Sequence, residues 1–184
     1  MLISRDKSQL LVVDVQDKLL DAMSGKTRSV ERCVRLIQAA KALEIPITVS
    51  EQYPRGLGPT VDAIRFVLPN SASVMDKVEF SCVKNDAIRD RLHALRRQGR
   101  QQVVICGIEA HVCVMQTAID LENCGFDAFV VADAVSSRSK TSKRLALARL
   151  SKAVADIVDS EMVLFEWLGR AGTPEFKQLQ ALVK

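Results

Sequence analysis

The sequence predicts an α/β protein whose parallel sheet is covered by helices on both faces. Short aliphatic runs alternate along the chain with segments of helical periodicity, the order that right-handed crossovers between parallel strands require. The runs are continuous rather than alternating, as in strands buried on both sides. The composition, 48% hydrophobic but only 4% aromatic, calls for a core of Val, Ile, Leu and Ala. With 184 residues and no linker or composition shift, residues 1–184 read as a single domain.

Leu10-Leu11-Val12-Val13-Asp14-Val15 reads as a buried strand ending in an acid. From Thr27 to Leu43, Val30, Cys33, Val34, Ile37 and Ala40 recur at helical spacing. Pro46 ends that helix, and Ile47-Thr48-Val49 opens the second strand. Gly56, Gly58 and Pro59 mark a loop, Ala63 to Val67 a helical segment, and Val74 to Phe80 an extended one. Asn85 is an N-cap for a helix carrying Ile88, Leu92 and Leu95 to a C-cap at Gly99. Val103 to Gly107 is a strand, His111 to Cys124 a helix closed by Gly125, and Phe129 to Asp133 a strand again ending in an acid. Thr141 to Ala155 reads as a helix, Met162 to Phe165 as a last short strand, and Pro174 as the first residue of a terminal helix.

No apolar stretch is long enough for a bilayer, so no membrane partner is expected. The first strand begins near Leu10, which leaves no room for a cleavable leader. Five cysteines without a paired spacing read as free thiols in a reducing compartment. The expected location is the cytoplasm, with mitochondria the alternative. The net charge is only +4, but its positive residues cluster. One stretch holds Arg138, Lys140, Lys143, Arg144, Arg149 and Lys152; another holds Arg89, Arg91, Arg96, Arg97 and Arg100. Both read first as solvated helix faces and second as a nucleic-acid surface.

In doubly wound sheets ligands sit beyond the carboxyl ends of strands. Asp14 ends the first strand there, Lys77 lies at the end of the third, and Cys113 lies just past Gly107. An acid at a strand end often caps its own loop, and a free Cys is usually a small buried hydrophobe. Asp14, however, sits in an apolar run, where a carboxylate needs a partner, and Lys77 supplies the charge to keep it ionised. Cys113 stands at a helix N-terminus, where amides and dipole favour a thiolate. His111, two residues from Cys113 on a helix, cannot face it as a dyad, and His93 reads as solvated.

Asp14-Val15-Gln16-Asp17, Lys77-Val78-Glu79-Phe80-Ser81 and Gly107-Ile108-Glu109-Ala110-His111-Val112-Cys113-Val114 together resemble the isochorismatase-like cysteine hydrolases. The resemblance spans nearly the whole chain. It implies a three-layer α/β/α fold around a six-stranded parallel sheet of order 3-2-1-4-5-6. It also implies a catalytic triad of Asp14, Lys77 and Cys113, a cis peptide between Ile108 and Glu109, and an oxyanion site at the amides of Glu109 and Cys113. Gln16, Leu19, Tyr53 and Phe80 are the expected pocket residues. Nicotinamidases of this superfamily bind a metal through an Asp-x-His segment and a later His; Ser50-Glu51-Gln52-Tyr53-Pro54 stands there instead, and neither a metal nor a cofactor is expected. The implied activity is metal-independent hydrolysis of a small amide or imide, by a homo-oligomer of two or more copies. The alternatives are an RNA-binding protein or ribonuclease using the basic stretches, and an oligomeric scaffold with a vestigial triad.

Overall fold

The computed structural model describes residues 1–153 and 155–183. Six parallel strands, β1 (Ser8–Val13), β2 (Ile47–Gln52), β3 (Ser73–Lys77), β4 (Gln102–Ile108), β5 (Asp127–Ser136) and β6 (Asp156–Val158), form one sheet of order β3-β2-β1-β4-β5-β6. This is the architecture and strand order expected. Strand order reverses between β1 and β4, so their carboxyl ends open the crevice in which this topology binds ligands.

Both faces of β1 are buried, and its aliphatic run alternates between two cores. Leu10 and Val12 pack with helices α2 (Lys26–Ala42) and α8 (Ser160–Leu168) through Leu36, Ile37, Val163 and Trp167. Leu11 and Val13 pack on the opposite face with α5 (Asp86–Arg97), α6 (Met115–Asn123) and α7 (Lys140–Ala153) through Ile88, Leu92, Ala118 and Leu150. The short helices α1 (Asp17–Leu20), α3 (Pro54–Leu57) and α4 (Asp62–Arg65), and the terminal α9 (Pro174–Leu179), complete the chain. Asn85 caps α5 by accepting from the Ile88 amide, and Thr173 caps α9 ahead of Pro174. No helix among the described residues is long and apolar enough to cross a membrane.

One glycine fixes the crossover geometry. Gly107 has φ 118°, and a Cβ there would lie 2.1 Å from the carbonyl oxygen of Val13 on the paired strand. Only glycine lets β4 run this close to β1.

Several expectations need correction. Met162 to Phe165 is not a strand but the middle of α8: Val163, Leu164 and Trp167 form one buried face, and the Asp159 carboxylate caps the helix by accepting from the Glu161 and Met162 amides. The sixth strand is Asp156–Val158, whose three residues are too few to show a pattern. The third strand stops at Lys77, because the chain turns there to bury that side chain and leaves Val78 and Phe80 exposed. The helix expected to reach Ala155 ends at Ala153, and Val154, like Lys184, lies outside the described residues.

Three arginines of the α5 stretch are not merely solvated. Arg91 donates to Thr48 Oγ1 and the Ile47 carbonyl, Arg96 to the Cys124 carbonyl, and Arg100 to the Arg5 and Ser8 carbonyls. They tie the helix to strand ends and loops. His93, read as solvated, is half-buried with its ring 5.0 Å from that of Phe126.

Candidate active site

Asp14 directly follows β1 in the left-handed region, with φ 51°, a conformation that Asp adopts more readily than most residues. The turn swings its carboxylate off the β1 face pattern toward the neighbouring strand ends. Parallel register supplies its partners. Val13 pairs with Ser50 of β2, whose hydroxyl donates to Asp14 Oδ1 at 2.7 Å. Gln52 pairs with Lys77 of β3, whose ammonium donates to Asp14 Oδ2 at 2.7 Å. Lys77 also donates to Gln52 Oε1 and to the Glu79 carbonyl, so its three N–H groups are all used.

β4 delivers the thiol. The Ile108–Glu109 peptide is cis, and the chain then enters a π-helical turn, Ala110–Val114, before α6. In that turn the Val112 and Val114 amides both donate to the Glu109 carbonyl. Cys113 lies here, 6% exposed, its Sγ 3.8 Å from Lys77 Nζ and its thiol within the field of the Asp14 carboxylate. Asp14, Lys77 and Cys113, separated by 63 and 36 residues in turn, thus meet in one buried cluster.

The electrostatics revise one expectation. A helix N-terminus alone would favour a thiolate at Cys113, but burial, and then the negative charge of Asp14, push this thiol well above its ordinary range. Lys77 works the other way without prevailing. Cys113 therefore rests as the protonated thiol. Burial also raises the proton affinity of the Asp14 carboxyl, while Lys77 and Ser50 hold it back. For Lys77 burial is the largest single influence and lowers the pKa, but the Asp14 charge and hydrogen bond together with the Cys82 and Cys113 sulfurs outweigh it, and the ammonium is held more firmly than usual. The arrangement is a lysine that keeps its proton and a carboxylate more basic than ordinary, beside a neutral thiol.

The remaining expected residues are placed unequally. Gln16 is fully buried, and its amide is spent joining loops: it donates to the Gln52 and Gly58 carbonyls and accepts from the Gln52 amide. It is a staple, not a pocket-facing group. Leu19 is half-buried on α1. Tyr53 and Phe80 are each 55% exposed on loops beside the β2 and β3 ends. Tyr53 shares a cavity of about 350 Å³ with Arg55, Asp76, Lys77, Val78 and Asn85. His111 turns to Ser137, with Nδ1 3.0 Å from the hydroxyl. In the Ser50-to-Pro54 segment, Glu51 accepts from the Thr60 amide and hydroxyl, and Gln52 is occupied by Lys77.

Three participants are not visible from sequence. Ser50 braces Asp14; Cys82, wholly buried, donates to the Ser50 hydroxyl at 3.5 Å. Arg138, from the second basic stretch, holds the Glu109 carboxylate through its backbone amide and its Nε at 3.2 and 3.1 Å. Only the strand register could have announced Ser50 and Gln52, since it sets them beside Asp14 and Lys77.

Residues 8–162 match the family model described as the Isochorismatase domain. Isochorismatase domain-containing protein 2 of Xenopus laevis is 36% identical over 176 residues, which cover 96% of this chain and 83% of that protein. The Danio rerio protein of the same name is 37% identical over 181 residues, 98% of this chain and 89% of its own. Among solved structures, the MAR1 ribonuclease from Caenorhabditis elegans superposes with a TM-score of 0.92 at 37% identity, covering all of this chain and 92% of that one. With its sheet order and its matched segment running from β1 into α8, the chain belongs to the isochorismatase family.

Proposed function

We propose that this protein is a cysteine hydrolase that cleaves the C–N bond of a small amide or imide without a metal. The observation that carries the reading is the buried convergence of Asp14, Lys77 and Cys113, with the thiol neutral and the carboxylate more basic than usual. Membership of a family that is typically hydrolytic supports it.

Asp14 takes the proton of the Cys113 thiol as the sulfur attacks the substrate carbonyl carbon, forming a C–S bond and moving the carbonyl electron pair onto oxygen. The amides of Glu109 and Cys113 stabilise that oxyanion. Asp14 passes its proton to the leaving nitrogen, the C–N bond breaks, and a thioester remains. Asp14 then takes a proton from water, whose oxygen attacks the thioester; the sulfur leaves, is reprotonated, and the acid departs. Lys77 holds Asp14 in place and stays charged throughout. Arg138 orients Glu109 through its carboxylate, and so the amide next to it.

The C. elegans neighbour bears the name of a ribonuclease. In this chain Arg91, Arg96 and Arg100 are committed to protein carbonyls and Arg138 to Glu109, which leaves less of the basic sequence for a phosphate backbone. We also carry forward assembly with further copies: Val74, Val78 and Phe80 expose apolar surface on and beside the edge strand β3, and sedimentation would give the size. A panel of small amides, imides and ureides, run with a single-stranded RNA, tests the function. Turnover of a panel member that is lost in Cys113→Ala supports the hydrolase. Turnover surviving in Cys113→Ala, or cleavage of RNA alone, overturns it.

A further inference from the structure

Beyond the carboxyl end of β5 the N-terminal turns of α2 and α7 border a second concavity of about 510 Å³. Neither Asp14, Lys77 nor Cys113 lines it. Three cations do: Arg28 from α2, and Lys140 and Lys143 from α7. Two carboxylates are present as well, but both are engaged by the fold. Asp133 accepts from the Ser160 amide at 2.8 Å and its hydroxyl at 2.7 Å, with Arg32 Nε at 3.2 Å. Asp159 accepts from the Glu161 and Met162 amides at the start of α8. Among the described residues, no carboxylate comes within ion-pair distance of Arg28, Lys140 or Lys143.

Unpaired like charges gathered in one concavity repel, and the arrangement costs free energy unless an anion joins them. The pKa of Lys143 is lowered, chiefly by burial; the Asp133 charge opposes this, and the facing Arg28 adds a smaller lowering. The 17-residue α2 adds positive potential, because its N-cap is Gly25, which has no side chain to cap the first-turn amides. Ala132 and Leu147, both half-buried, provide an apolar wall beside the cations.

We propose that this concavity is a binding site for the phosphate group of a small organic phosphate, with its carbon skeleton against Ala132 and Leu147. Three cations and free helix amides suit a dianion with three acceptor oxygens better than a single carboxylate. A polynucleotide would instead use a stripe of exposed charge, such as Arg144 and Arg149 on the outer side of α7. The site stands whether or not Cys113 is a nucleophile.

The test is an NMR titration of the full chain with phenyl phosphate, with phenol and a single-stranded RNA as comparison probes. Phenyl phosphate should shift the amides of residues 25–28 and 140–143 saturably, and phenol should not. Arg28→Ala or Lys143→Gln, each checked for a dispersed amide spectrum, should weaken binding about tenfold or more, as loss of a charge-assisted contact does. Arg149→Ala should leave it unchanged. The proposal is overturned by non-saturating shifts, by equal weakening in Arg149→Ala, or by RNA binding more tightly than phenyl phosphate with shifts along the outer face of α7.

Discussion

Lys77 and Asp14 meet at 2.7 Å with neither side chain in contact with solvent. A pair so buried has surrendered its hydration, so each charge depends on the other. Asp14→Leu or Lys77→Met alone should cost about 3–5 kcal/mol by stranding the partner. The double variant Asp14→Leu/Lys77→Met should recover much of that loss while remaining inactive. Denaturant unfolding of the three proteins checks it.

Ser50 braces the same carboxylate from the other oxygen. Ser50→Ala removes a hydrogen bond to a charged group, worth about 1.5–3 kcal/mol. Asp14 should then hold its proton more tightly, because that bond favours the ionised form. The acidic limb of the kcat/KM profile, on any substrate the amide panel returns, should move to higher pH, with kcat/KM down about tenfold. A fall without movement of the limb would assign Ser50 to packing alone.

Gly107→Ala places a methyl 2.1 Å from the Val13 carbonyl oxygen at φ 118°. Neither strand can retreat without breaking the β1–β4 ladder. Destabilisation of about 3 kcal/mol or more follows from overpacking and backbone strain together. Thermal unfolding measures it. Gly58→Ala serves as the control, since its Cβ would meet nothing within 4 Å, although its φ of 81° is also positive.

Burial raises the thiols of Cys82 and Cys113, and Cys106 is raised too, first by its contact with Cys33 and then by burial. Above the ordinary thiol value of 9.0 the unfolded chain loses these protons while the folded chain keeps them. The folded state then binds more protons, so stability falls as pH rises, by about 1 kcal/mol per pH unit for each such thiol. Lys77, also raised, acts in the same direction at higher pH. Unfolding free energies from pH 8 upward should show this decline, and Cys82→Ala should make it shallower by about one thiol's share.

Much of this was legible in the sequence, for identifiable reasons. Leu10 to Val13, buried on both faces, announced a central strand, and Asn85 and Pro174 marked helix starts through side chains that act locally. Met162 to Phe165 misled because a four-residue aliphatic run fits either period; the helix showed itself only through Trp167 and the Asp159 cap. Ser50, Gln52 and Cys82 stayed hidden because their roles come from register between strands, which no single segment encodes. Gln16 was misread for the same reason, since its partners lie 36 and 42 residues away. The basic stretches divided three ways, into structural arginines, the Glu109 clamp and the cationic concavity, and only the packing separates them.

The central claim is that Asp14 activates Cys113 as its base. Site-resolved alkylation by iodoacetamide, itself a small amide, tests this at neutral pH in the wild type and in Asp14→Asn. Asn keeps the left-handed turn and removes both the charge and the base. If Asp14 acts only through its field, removing a charge that raises the thiol pKa must speed alkylation of Cys113. If Asp14 is the base, Cys113 should be the fastest-modified cysteine in the wild type and should slow about a hundredfold in Asp14→Asn, within the range of lost general-base catalysis. A Cys113 that reacts faster in Asp14→Asn, or no faster than the half-exposed Cys124 in the wild type, would contradict the mechanism.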